Sequence, residues 1–203
     1  DKFSYSGEGF VYLQKVIEAI EEKRLDQVIK EHIFEPFGME DSSLIWEDKY
    51  EKLLSNSHDK DGTPQEIYKP LEPNAAWSLL SNPEEYGKFI SKIIRPDSGL
   101  PDSLNRDYLE EMLKPQINIK KHIAWGLGWG IVESNNQKTY WHWGDNDTFK
   151  TFVLFSVEEG KGIVLMTNSF NGLDTCEKII NYVMAERYPA FDQFLKPLYS
   201  EWE

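Results

Sequence analysis

The sequence predicts an α+β fold: an antiparallel sheet flanked by helices, with a separate helical subregion. Three observations predict it. Apolar residues recur at helical spacing through the first half of the chain, strand-like runs joined by short polar links follow His122, and an amphipathic segment closes the pattern from Asp174 to Tyr188. Helices, then strands, then a covering helix is an α+β order. Within one domain over 1–203, the pattern separates a mainly helical region (1–120), a sheet with its closing helix (121–188) and a C-terminal extension (189–203).

Gly9 to Lys23 reads as a helix, with Val11, Val16, Ile17 and Ile20 near helical spacing and Glu and Lys on the other face. A second helix follows from Leu25 to Phe34, and Pro36 and Gly38 stop it. Residues 38–57 read as irregular or short helical pieces. Asp59-Lys60-Asp61-Gly62-Thr63-Pro64 is a turn signal for a small hairpin. Ser81 or Asn82 is placed to cap a helix that has Pro83 in its first turn, Glu84 and Glu85 at its positive end, and Ile94 near its finish. Another helix covers Asn105 to Leu113. Ile123 to Val132 reads as one glycine-bearing strand, followed by strands at Lys138–Gly144, Phe149–Val157 and Gly162–Asn168. The last three are closely linked and should form an antiparallel meander. The unbroken Ile163-Val164-Leu165-Met166 run predicts burial on both faces. In the closing helix Ile179, Ile180, Val183 and Met184 should face inward.

Composition narrows the class. Seven Trp, ten Tyr and eleven Phe supply a sizeable core, which excludes disorder. The formal charge of -13 opposes a phosphate backbone or an anionic membrane surface, so nucleic acid is not an expected partner. No apolar run is long enough to span a membrane, and no signal peptide is visible. The opening Asp-Lys-Phe-Ser, without Met, is expected of a piece cut from a longer protein. Cys176 is the single cysteine, and its apolar helical setting predicts an inert buried thiol. His32, His58, His122 and His142 are scattered, so neither a metal nor a cofactor is expected.

Three short elements could carry chemistry: Tyr5-Ser6-Gly7 before the first helix, Gly126-Leu127-Gly128-Trp129, and His142-Trp143-Gly144 on a strand. Strand alternation puts Tyr140, His142 and Gly144 on one face and Thr139, Trp141 and Trp143 on the other. The Trp face suits packing under helices. Gly144 leaves the opposite face open, so a substrate backbone could add along that edge. Tyr5 is a poor base at a pKa near 10 unless neighbouring cations lower it. Taken singly, His142 is explained as a hydrogen-bonded sheet histidine and Tyr5 as a packing residue.

Taken together, these elements resemble the penicillin-recognising serine hydrolases: class C β-lactamases, DD-peptidases and related esterases. Phe3-Ser4-Tyr5-Ser6 and the helix after it resemble that family's tyrosine motif. Phe34 to Ser43, Asp59 to Gly62, Ala75 to Asn82 and Gly126 to Trp129 follow in the family's order, and His142-Trp143-Gly144 looks like the histidine version of its Lys-Thr-Gly strand motif. The resemblance implies a β-lactamase/transpeptidase-like fold with its N-terminal part missing. It also implies acyl transfer on an amide or ester: a β-lactam, a D-amino-acid peptide or a small ester. Tyr5 would assist proton transfer, His142 would hold substrate and tune the local field, and the Asp145 N–H would be one oxyanion donor.

The departures are specific. The tyrosine motif ends in Gly7 where the family has Asn, which removes an amide that would touch substrate. Asp145-Asn146-Asp147-Thr148 stands where glycines are usual, and its carboxylates should disfavour anionic substrates. The nucleophile's Ser-x-x-Lys should lie on a helix upstream of Tyr5. The one match in the chain, Ser57-His58-Asp59-Lys60, falls in the turn region, where Ser and Lys would not align. Two other readings stay open: a non-catalytic binder of peptides or cell-wall fragments, and an unrelated aromatic-rich ligand-binding domain. The last requires Tyr5 and His142 to lie far apart. Without the N-terminal strands the sheet would expose an edge, which favours self-association.

Overall fold

Ser6 starts the first helix: its hydroxyl accepts from the Gly9 N–H at 3.1 Å, and α1 (Gly7–Glu21) runs from there. The structure, a computed structural model, describes residues 3–96, 105–134 and 137–200. Gln14 of α1 is buried, donates to the Pro73 carbonyl and accepts from the Ala75 N–H, which ties the helix to the 73–78 segment. The second helical stretch is not one α-helix. It comprises α2 (Leu25–Ile29), a π turn over Lys30–Phe34 and α3 (Glu35–Phe37), closed by Gly38 at φ 67°. Pro36 explains the break: it has no N–H to donate and its ring crowds the carbonyl four residues back.

After a short α4 (Tyr50–Leu53), the 59–64 turn forms around the Asp59 carboxylate, which accepts from the Asp61 and Thr63 N–H groups at 2.9 Å each. Helix α5 (Pro83–Ile94) is capped by Asn82, whose side chain accepts from the Glu85 N–H. Glu85 does more than face the helix dipole. It is buried and accepts from the Asp41 N–H and the Ser42 hydroxyl, so it anchors the 39–43 stretch. Asn105 caps α6 (Arg106–Met112) in the same way.

The sheet has six antiparallel strands in sequence order: β1 (Ile117–Lys120), β2 (Ile123–Trp125), β3 (Gly130–Ser134), β4 (Gln137–Asn146), β5 (Phe149–Ser156) and β6 (Lys161–Thr167). Two features differ from the sequence reading. Strand β1 opens the sheet at Ile117; its Ile-Asn-Ile-Lys alternation is too short to stand out. The single strand expected over 123–132 is a hairpin, because Gly126–Trp129 turns back on itself. The Gly126 N–H donates to the Trp129 carbonyl at 2.7 Å and Gly128 adopts φ 83°. A side chain at Gly126 would meet the Met112 carbonyl at 2.6 Å, so this turn also packs flush on α6.

Each face of the sheet has its own core. Trp125, Trp141, Trp143, Phe152 and Leu154 pack under α7 (Gly172–Met184) and the C-terminal segment. Ala124, Trp129, Ile131, Tyr140, Val153 and Phe155 pack against α5 and α6. The C-terminal extension docks on the first face. A π turn over Phe191–Leu195 buries Phe191, Phe194 and Leu195, and α8 (Lys196–Ser200) follows. In α7 the inward residues are Cys176 and Ile180, each 0% exposed, whereas Ile179 and Val183 face outward. Burial pushes the Cys176 thiol up to about 11, as befits an inert core sulfur.

Strand β6 is also less enclosed than its apolar run suggests. Ile163 and Leu165 touch one core and Val164 the other, but all three are only half-buried. Among the described residues β6 pairs with β5 alone, so one flank stays open. Tyr12 and Ile20 of α1 are 75% and 73% exposed, so the apolar stripe of that helix is largely uncovered.

Candidate active site

The site arises where one strand outruns its neighbour. Pairing between β3 and β4 stops at Gly130 with Trp141, while β4 continues against β5 to Asn146 with Phe149. The Gly126–Trp129 turn is the cause, because it cuts β3 short. Residues 142–146 are therefore paired on the β5 side only, among the described residues. Their free flank is the edge of the sheet that the open face at Gly144 suggested.

Tyr5, one residue before the α1 cap, lies against this end of β4. Its ring is 4.6 Å from Trp143 and 6.3 Å from His142, centroid to centroid. Two positions 137 apart in sequence are thus brought into one contact. An unrelated domain with Tyr5 and His142 far apart is not what the chain forms.

The imidazole is packed by aromatic rings: Trp143 stacks on it at 5.2 Å, and Trp125 and Trp129 meet it edge-on at 5.6 and 6.3 Å. This apolar surround lowers its pKa to about 4, partly opposed by the Trp143 carbonyl. His142 is therefore neutral at neutral pH. Its Nδ1 lies 2.6 Å from that carbonyl, which can only accept, so Nδ1 carries the proton and Nε2 keeps its lone pair. A neutral imidazole with a free Nε2 can accept a proton or a substrate hydrogen bond.

Tyr5 stays the poor base that its ordinary pKa implies. Among the described residues no cation lowers its phenol; burial raises it, so the hydroxyl remains a hydrogen-bond donor at neutral pH. A shallow cavity of about 270 Å³ lies between residues 3–6, Trp125 and the Gly9, Phe10 and Leu13 side of α1. Tyr5 and Trp125 wall it, and both rings also touch His142.

The remaining motif stretches converge on the same end. The Asn146 side chain donates to the Trp77 carbonyl at 2.9 Å, joining the 74–78 segment to the end of β4. A Cβ built on Gly7 would lie 3.7 Å from the Ala76 Cβ, so the tyrosine motif also abuts that segment. Gly144 is held to glycine by its cross-strand partner, since a Cβ there would fall 2.4 Å from Thr151 Oγ1. Ser57-His58-Asp59-Lys60 lies beside the end of β6, two strands across the sheet from β4. Ser57 is buried, and His58 bridges to Ser169 and accepts from the Phe170 N–H, which pins the 57–65 turn to the end of β6.

Sequence reasoning missed what surrounds Asp145. Its carboxylate forms an ion pair with Lys150, which is 6% exposed, and accepts from the Tyr199 hydroxyl at 2.7 Å. Lys150 was findable: a two-residue turn after Asn146 sets residue 145 opposite residue 150. Tyr199 carried no local signal. The repulsion expected of a bare Asp145 is thus offset by a buried ammonium.

Comparison with known proteins agrees with this architecture. The "Beta-lactamase" family model matches residues 1–183. The chain superposes on the octameric penicillin-binding protein homologue of Pyrococcus abyssi with a TM-score of 0.78 and 21% identity, covering 93% of this chain and 45% of that one. It superposes on the penicillin-binding protein of Bacillus halodurans (TM-score 0.76, 18% identity, 89% and 56% covered) and on the beta-lactamase/D-alanine carboxypeptidase of Pseudomonas syringae (0.75, 12%, 92% and 60%). The unguisins hydrolase ungD' of Aspergillus campestris is 23% identical over 177 residues, which is 82% of this chain and 33% of that protein. The chain spans roughly half the length of the solved structures it matches and a third of the curated relative. With a family model matched over most of its length and the same fold in all three structures, the chain belongs to the beta-lactamase family of serine hydrolases.

Proposed function

We propose that this chain is the C-terminal part of a serine hydrolase acting by acyl transfer on an amide or ester, with the nucleophile contributed by sequence outside these 203 residues. The observation that carries the reading is the 6.3 Å approach of the Tyr5 and His142 rings at the unpaired end of β4. Tyr5 donates or relays a proton through a neutral phenol. His142 presents Nε2 to the substrate or the attacking hydroxyl. Gly144 lets a substrate backbone lie along the strand edge, and the Asp145 N–H donates to the developing oxyanion. Gly7 abuts Ala76, without the amide an Asn would offer to substrate. A β-lactam, a D-amino-acid peptide or a small ester fits this machinery.

A fluorescent penicillin or alkyl phosphonate tests the reading on the protein extended to include an upstream Ser-x-x-Lys segment. Stable labelling, lost in His142→Ala and Tyr5→Phe, is expected. A folded, extended protein that takes up neither probe overturns it.

Two observations favour a second reading, a binder of peptides or cell-wall fragments on the same scaffold. The raised Tyr5 phenol weakens proton transfer and Gly7 lacks the amide that would touch substrate, while the strand edge stays intact. Extension by a segment without Ser-x-x-Lys would select it. The open flank of β6 further supports pairing with another strand, either from a second copy or from the remainder of a longer protein. Sedimentation of the 203-residue chain tests that: dimers are expected, and a monomer at high concentration argues against pairing between copies.

A further inference from the structure

We propose that Tyr199 is a positioning residue for this site: it fixes the Asp145 carboxylate against Lys150 and keeps loose negative charge off the open edge of β4. The inference rests on the acyl-transfer reading for its consequence, though not for its geometry.

The proton arrangement follows from the partners. The Trp143 indole can only donate, and its Nε1 lies 3.1 Å from the Tyr199 oxygen, which therefore accepts. The hydroxyl proton is left for Asp145 Oδ2 at 2.7 Å, an acceptor only. Burial, then the Asp145 hydrogen bond, raise the Tyr199 phenol, so the proton stays on it. Asp145 Oδ1 is occupied separately, by the Lys150 ammonium and by the Asp147 N–H at 3.1 Å. Both carboxylate oxygens are thus engaged, and each side of the carboxylate has its own holder.

Tyr199 also reaches the other half of the site. Its donor Trp143 is the ring that stacks on His142 and meets Tyr5. One phenol at the end of the chain therefore braces the histidine's packing partner and the residue whose N–H faces the oxyanion. The buried Phe194 and Leu195 anchor the segment that carries it. In acyl transfer, negative charge grows on the carbonyl oxygen beside Asp145. A carboxylate free to swing toward that oxygen opposes it through space, and the opposition weakens as salt screens it.

Tyr199→Phe keeps the ring and removes the hydroxyl. In the extended protein, the acylation rate constant is expected to fall about fivefold while probe binding is unchanged, because the added repulsion acts where charge develops. Raising the salt from ~0.1 M to ~1 M should recover most of that loss in the variant and change wild type little. A purely packing role predicts lower thermal stability with no salt rescue, and that outcome overturns the proposal. In the 203-residue chain, the amide resonances of Gly144, Asp145 and Asn146 and the Trp143 indole resonance should all move in Tyr199→Phe. If they stay where wild type has them, the proposal falls whatever the activity. A wild-type extended protein that takes no acyl probe sinks the acyl-transfer reading instead, and the resonances alone then decide the role of Tyr199.

Discussion

Strand β4 has two halves with opposite circumstances. Residues 137–141 are all paired with β3, Tyr140 and Trp141 are paired with β5 as well, and this half ends in Trp141, which is 0% exposed. Among the described residues, 142–146 are paired on one flank only, and they carry His142, Gly144 and Asp145. The first half is sheet interior; the second is sheet edge supported from behind by aromatic rings. The difference teaches how a rigid strand presents chemistry. The buried half fixes direction and register, and the half that outruns its neighbour exposes backbone donors and an imidazole at a defined position.

If that division is right, the largest effect belongs to the buried half. Trp141 packs against Trp125, Phe152 and Phe194, with ring centroids 5.6, 5.9 and 5.3 Å away. Gly130 lies flat on its indole, where a Cβ would come within 2.4 Å. Trp141→Ala should cost about 3–5 kcal/mol, the range for emptying a packed aromatic site. Chemical denaturation of the 203-residue chain measures it. A loss near that of a surface substitution would mean the two halves are not mechanically distinct.

The next effect comes from the open half and depends on pH. Burial lowers the His142 pKa to about 4 from its ordinary 6.5, so the unfolded chain binds this proton first as pH falls. The stability that neutral His142 contributes is complete above about pH 6.5 and drains away down to about pH 4, reaching at most about 3 kcal/mol. His142→Gln should flatten this stretch of the stability profile. A wild-type profile as flat as the variant's would show that the ring cage admits water freely.

What could be read in advance divides along the same line. Helix starts and local periodicity were legible because they depend on neighbours in sequence: the Asn82 cap with Pro83, the helix start near Asn105, and the alternation that sends Trp141 and Trp143 to one face. The order of motifs was legible too, and it gave the fold and the meeting of Tyr5 with His142. The hairpin at Gly126–Trp129 was not, because its apolar residues continue the strand pattern, and only a positive φ at Gly128 and the close Met112 carbonyl turn the chain. The direction of the Tyr5 pKa stayed open in the sequence because it depends on what packs over the phenol. Tyr199 was invisible for a stronger reason: it lies 54 residues from Asp145, in an extension with no pattern of its own.

A smaller effect separates two explanations for Gly144. Openness to a substrate requires no side chain there, and so does the Thr151 hydroxyl that faces it across the pair. Gly144→Ala should cost about 1–2 kcal/mol through overpacking. Adding Thr151→Ala should restore stability, since it removes the clashing oxygen. Probe labelling of the extended double variant then reads the substrate side alone. Restored stability with labelling still lost assigns the glycine to the strand edge; recovery of both assigns it to packing.

Gly7→Asn should have the smallest effect on stability and is the most informative about chemistry. Position 7 opens α1 directly after the Ser6 cap, so a side chain there disrupts no hydrogen bond of the helix. Its Cβ would sit at ordinary contact distance, 3.7 Å from the Ala76 Cβ, so the space exists. The stability change should stay within about 0.5 kcal/mol. The added amide would project from the residue two after Tyr5, beside the segment that Asn146 ties to the end of β4. In the extended protein it should therefore speed acylation several-fold. A variant as stable as wild type but no faster would mean the 74–78 segment, and not the lost amide, shapes the mouth of the site.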